Sequence, residues 1–115
     1  MENSNTFMLI FRFEPNFEFQ PTPEQLQEQK QQWSAFIGKL VKDGKFVNTN
    51  QLGFNGKKLS ADLSVTEGIN IADGKTLGGN MILKVDTIDE AIECAKGCPI
   101  LKMGGTVEVR DIMPM

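Results

Sequence analysis

The sequence predicts an α+β domain: two helices on one face of a mostly antiparallel sheet. Three observations predict it. Residues 6–13 (TFMLIFRF) and 80–85 (NMILKV) are short, dense apolar runs of strand type. Two segments with helical apolar spacing open at Thr22 and Thr87, each with a hydroxyl residue at the start. An alternating segment, residues 106–110 (TVEVR), closes the order after the second helix.

Taken in order, residues 1–5 (MENSN) are polar and expected to be loose. The first strand is apolar on both sides, with Phe7, Leu9, Phe11 and Phe13 on one and Met8 and Ile10 on the other. Such a strand is expected to be covered on both faces, with Arg12 joining the Met8 side. Residues 14–21 (EPNFEFQP) read as a loop, in which Phe17 and Phe19 either pack locally or line an entrance. Thr22 is a good N-cap, Pro23 suits the first helical position, and Gln25 completes a capping box. Leu26, Trp33, Ile37, Leu40 and Val41 recur at helical spacing, and Gly44 stands where a left-handed residue ends a helix. The helix is expected over residues 23–43.

Residues 45–54 read as a strand, and Asn55-Gly56 as a hairpin turn leading to a partner strand over residues 58–66. There Leu59, Ala61, Leu63 and Val65 alternate with polar residues, which predicts one buried and one wet face. Thr87, with Glu90 as capping-box partner, opens the second helix. Its apolar stripe is Ile88, Ala91, Ile92 and Ala95, and Gly97 and Pro99 end it. In the last strand Val107 and Val109 are expected inward, opposite Thr106, Glu108 and Arg110. The order is β-α-β-β-β-α-β. Without the inserted hairpin strand it is β-α-β-β-α-β, the ferredoxin-like split unit. One sheet face would then lie open with Met8, Ile10 and Ile82 on it. Burying them against a second copy, at about 25 cal/mol per Å² of apolar area, predicts a homodimer built as an open α+β barrel.

The 115 residues suffice for one domain with one core. The net charge of −3 is spread over interspersed acids and bases, with no Lys/Arg block to recruit nucleic acid or an anionic membrane. No segment is long enough to span a membrane, and the early apolar run FMLIF has no basic residue before it, so a cytoplasmic protein is expected. Cys94 and Cys98 are too few for a disulfide framework, and with no histidine no metal site and no cofactor are expected.

Gly74-Lys75-Thr76 has the ending of a phosphate-binding P-loop. The first glycine of that motif would have to stand at position 69, which is Ile69, with Gly68 one residue early. Leu77, Gly78, Gly79 and a strand follow, where a P-loop needs a helix N-terminus facing the phosphates. The residues instead predict a turn at Asp73-Gly74 and a close backbone approach at Gly78-Gly79.

The segment VTEGINIADGKTLGGNMILKVDTIDEAIECAKGCPI, with GGTVEVRDI after it, resembles the YCII-related family and in particular its DGPF-domain branch. The matching residues include Val65, Thr66, Gly68, Leu77-Gly78-Gly79, Asp89-Glu90-Ala91, Cys98-Pro99 and residues 107–110. The resemblance implies a ferredoxin-like dimer with a cleft between sheets and loops, and no assigned reaction. Two departures stand out. The Asp-Gly-Pro-Phe of the branch is Glu67-Gly68-Ile69-Asn70 here, and the His–Asp pair of the YCII proper branch has no counterpart in a chain without histidine.

With neither His nor Tyr, acid–base chemistry would fall to carboxylates, lysines or thiols. Glu67, if buried, is the candidate base. Asp73 and Lys75 lie in the loop after it, and strand parity puts Arg12, Arg110 and Glu108 together on the face opposite the helices. Two readings follow. In one, these six residues bind a small, anionic molecule between the sheet and residues 67–79. In the other, the arginines and Glu108 form an ion-pair network at the seam of a structural or regulatory homodimer.

Overall fold

A computed structural model of the chain describes residues 5–14, 22–53 and 55–113. The expected loop aromatics Phe17 and Phe19 lie outside them. Strand β1 (Thr6–Phe13) is followed by helix α1 (Pro23–Lys42), then by strands β2 (Phe46–Gln51), β3 (Lys57–Leu59), β4 (Val65–Glu67), β5 (Ile71–Ala72) and β6 (Lys75–Lys84). Helix α2 (Ile88–Ala95), a 3-10 helix (Pro99–Met103) and strand β7 (Thr106–Asp111) complete the order. The main sheet runs β2-β6-β1-β7, every pair antiparallel, with β5 added to β6. This is the strand order of a ferredoxin-like α+β fold.

The core lies between the sheet and the helices. Phe7, Leu9 and Phe11 of β1 alternate with Met81 and Leu83 of β6 and pack beneath Leu40, Ala91, Ala95, Cys98 and Ile100. Met8, Ile10 and Arg12, one residue out of phase, face the other way and are half-buried. The α1 terminus forms as its sequence directs. The Thr22 hydroxyl accepts from the Gln25 N–H at 3.1 Å, and the Gln25 side chain accepts from the Thr22 N–H at 2.9 Å. At α2 the Thr87 hydroxyl accepts from the Glu90 N–H, while the Glu90 carboxylate reaches Asp86 rather than closing the box on Thr87.

The hairpin expectation needs correcting. β2 pairs with β6, not with the segment after Asn55-Gly56. The hairpin lies within residues 57–67, where β3 and β4 form a two-stranded sheet of their own. The alternating run breaks because Asp62 accepts hydrogen bonds from the Ser64 N–H at 2.9 Å and the Ser64 hydroxyl at 2.6 Å, with Leu63 at φ +72°. A local Asp–Ser turn thus wins over strand propensity. Nor is the apolar face of this arm buried in a single chain: Leu59, Leu63 and Val65 are 65%, 78% and 60% exposed. The turn at Asp73-Gly74 forms as expected. Both residues have positive φ, +53° and +76°, and Ala72 pairs with Lys75 across them.

Candidate functional site

The face opposite the helices is built by antiparallel register. Met8 stands beside Ile82 on one side and Arg110 on the other, and Ile10 stands between Asn80 and Glu108. Arg12 reaches diagonally to Glu108, Nη1 to Oε1 2.7 Å, with both side chains nearly half exposed. Beyond Asn80, the Asn50 amide of β2 donates to the Asn80 side-chain oxygen at 3.2 Å. The face therefore has an apolar centre of Met8, Ile10 and Ile82 between a charged edge and an amide edge. The Arg110 side chain makes no hydrogen bond or ion pair among the described residues.

The remaining candidates are dispersed. Asp73 occupies the β5–β6 turn, and Lys75 begins β6. Glu67 ends β4 on the separate arm, its side chain 77% exposed and 3.4 Å from the Lys57 ammonium. The burial that would make it a base is absent from a single chain. Among the described residues no bond joins Glu67 to either arginine. The thiols are unsuited to nucleophilic work. Burial pushes Cys98 up from 9.0 to about 11, and burial also raises Cys94, against the opposing pull of Lys45. No group of three metal-ligating side chains occurs among the described residues, and none of their helices is long and apolar enough to cross a membrane.

A concavity lies on the helix-bearing side and was not foreseen in the sequence. Between α1 and the adjoining ends of β1, β2 and β6 is an open cleft of about 910 Å³. Phe11, Phe13, Trp33 and Ile37 form its apolar walls, and Gly78-Gly79 contribute no side chains to it. Gly79 is required because a Cβ there would stand 2.5 Å from the Asn50 backbone oxygen. A signal for this cleft does exist. The α1 stripe runs Leu26, Trp33, Ile37, Leu40, and the turn between Leu26 and Trp33 carries Gln29 and Lys30 where apolar residues are due. Lacking an apolar contact at that turn, the helix packs incompletely, and Leu26 remains 49% exposed.

Strand order, helix placement and the open sheet face define a ferredoxin-like α+β domain. The chain matches the YCII-related domain family over residues 6–115, nearly its whole length. It therefore belongs to the YCII-related family. No curated protein matches it.

Proposed function

We propose that this YCII-related domain is a cytoplasmic homodimer of the DGPF type that binds a small anionic molecule at the seam between two open sheet faces. The observation that carries the reading is Arg110. It is a guanidinium without a partner among the described residues, on the same face as the half-buried Met8, Ile10 and Ile82. Apolar residues at the centre of such a face favour cover by a second copy. Closing the seam lowers the local dielectric and strengthens the hold of Arg110 and Arg12 on a carboxylate or phosphate, which the planar guanidinium meets in a fork. Glu108 holds Arg12 in position. Asp73, Lys75 and Glu67 belong to the rim, brought nearer by the partner's approach. The two free thiols, Cys94 and Cys98, suit a reducing compartment.

One observation favours a second reading, a purely structural dimer. Arg12 is already neutralised by Glu108 at 2.7 Å, as in a seam that needs no ligand.

Light scattering after gel filtration tests the assembly. The expected mass is twice that of one chain, falling to one chain for Ile10→Glu with its far-UV circular dichroism retained. A wild-type monomer sinks both readings. Thermal shifts against a panel of small carboxylates and phosphates then separate them. The binding reading expects a stabilising compound whose effect disappears in Arg110→Ala. A dimer that no compound stabilises supports the structural reading.

A further inference from the structure

We infer that β7 is a self-complementary edge: its free side pairs antiparallel with β7 of a second copy, centred on Val109, and carries one sheet across two chains. β7 ends the strand order β2-β6-β1-β7 and has no strand neighbour beyond it among the described residues. Two bonds fix which of its backbone groups are free. The Ile112 N–H donates to the Thr6 oxygen at 3.1 Å, and the Val85 N–H donates to the Asn5 oxygen at 2.9 Å. Hydrogen-bonded pairs alternate along an antiparallel ladder. Odd-numbered residues of β1 therefore bond toward β6 and even-numbered ones toward β7. In the register of β1 and β7, residues 106, 108 and 110 are bonded inward. Val107, Val109 and Asp111 turn their N–H and C=O groups outward, where they find no partner among the described residues.

Nothing in β7 blunts this edge. An unpaired strand edge invites another strand, and proteins guard it with lysine, proline or a bulge. β7 (TVEVRD) has neither lysine nor proline, and it pairs with β1 without a break in register. The opposite edge, β2, is bulged between Phe46 and Asn48. The side chains beside the β7 edge are apolar. Val107 and Val109 are half-buried, and Ile92 and Leu101 next to them are 40% and 42% exposed.

Charge names the partner. Outward-facing groups must meet outward-facing groups, so a two-fold pair of β7 strands has few registers. Centred on Glu108, the pair sets Glu108 against Glu108. Centred on Arg110, it sets Arg110 against Arg110. Like charges directly opposite are destabilising. Centred on Val109, Val109 meets Val109, Val107 meets Asp111, and Glu108 meets Arg110 on both sides of the axis. Glu108 then lies between Arg12 of its own chain, 2.7 Å away, and Arg110 of the copy. The Arg110 side chain has no partner among the described residues, and this register supplies one. A ladder this short belongs to the weak, transient class of contacts. It fills at high-micromolar chain concentration, whereas the seam sets the mass at low-micromolar concentration. Edge pairing leaves the open sheet face uncovered, so the inference stands apart from the seam. An anion held at Arg110 opposes it.

The test is residue-resolved amide exchange by NMR on the full chain, at low- and high-micromolar concentration in dilute chloride buffer, with sedimentation velocity alongside. At high concentration the Val107, Val109 and Asp111 amides should slow severalfold. Those of Glu108 and Arg110, already bonded to β1, should stay level. Glu108→Arg alone and Arg110→Glu alone should each lose the effect. An equimolar mixture of the two variants should regain it, because each chain then offers the charge that the other lacks. Loss of the Arg12–Glu108 bond by itself cannot produce that rescue. The inference is overturned if the three edge amides exchange alike at both concentrations, or if the mixture associates no more than the separate variants. The same alternation should persist in Ile10→Glu, which removes the seam and leaves the edge. Its disappearance there also overturns the inference, whereas a wild-type monomer at low concentration sinks the seam alone.

Discussion

At the residue scale, Cys98 shows most directly how burial shapes chemistry here. It is 1% exposed within the core, beside Ile100 and Ala95. Desolvation disfavours its thiolate and pushes the thiol from 9.0 to about 11. In the unfolded chain the same thiol ionises near 9, so the unfolded state loses its proton first. The stability Cys98 contributes is therefore complete below pH 9 and is lost as pH rises through about 11. Urea unfolding of wild type and Cys98→Ala between pH 8 and 11.5 checks this. The wild-type advantage should shrink over that window and stay level below it. Arg12 and Glu108 are the contrasting case. Their bond follows from strand parity alone, but with both side chains nearly half exposed it is worth at most about 1 kcal/mol.

At the scale of elements, α1 was legible from Thr22 to its end at Lys42, with Gly44 following at φ +73°. Local chemistry determines such boundaries: a hydroxyl cap, a proline at the first turn and a glycine past the last. Thr22→Ala removes the side-chain acceptor of the box, and the expected cost is about 1 kcal/mol. Thermal melts monitored at 222 nm measure it, and Thr22→Ser should restore most of the loss. The arm, residues 57–67, was misread for an equally local reason. Alternation of Leu59, Ala61, Leu63 and Val65 is the pattern of a half-buried strand, but the Asp62–Ser64 bonds turn the chain in the middle of it. Those bonds also hold the Asp62 carboxyl below its ordinary value, first through the Ser64 hydroxyl.

At the scale of the molecule, the chain is a flat slab of 44 × 42 × 20 Å with a radius of gyration of 15.9 Å. A compact domain of this length is expected near 13 Å. A two-layer structure with one bare sheet face and a projecting arm accounts for the excess. A lone two-stranded hairpin is marginal in water, and this one exposes Leu59, Leu63 and Val65. If a second copy covers it, amide protection in β3 and β4 should rise with protein concentration while that of β1 and β6 stays constant. Hydrogen exchange read by mass spectrometry at low- and high-micromolar chain concentration checks this. Concentration-independent exchange in the arm would remove it from the proposed dimer contact.

The sequence by itself determined the secondary elements that rest on short-range chemistry: the caps, the strand periods, the Asp73-Gly74 turn and the family match. It also determined which residues share a strand face, because alternation has a period of two wherever a strand is regular. Tertiary structure decided what depends on distance across the chain. It paired β2 with β6 rather than with its sequence neighbour and set Arg12 diagonally opposite Glu108. It left Glu67 out on the arm beside Lys57, and it opened a cleft where α1 turns Gln29 and Lys30 toward the sheet end. The physical reason is the same throughout. Hydrogen bonds within a few residues are written in local composition, whereas a cleft is the space left when two distant surfaces fail to match, and no single stretch of chain encodes it.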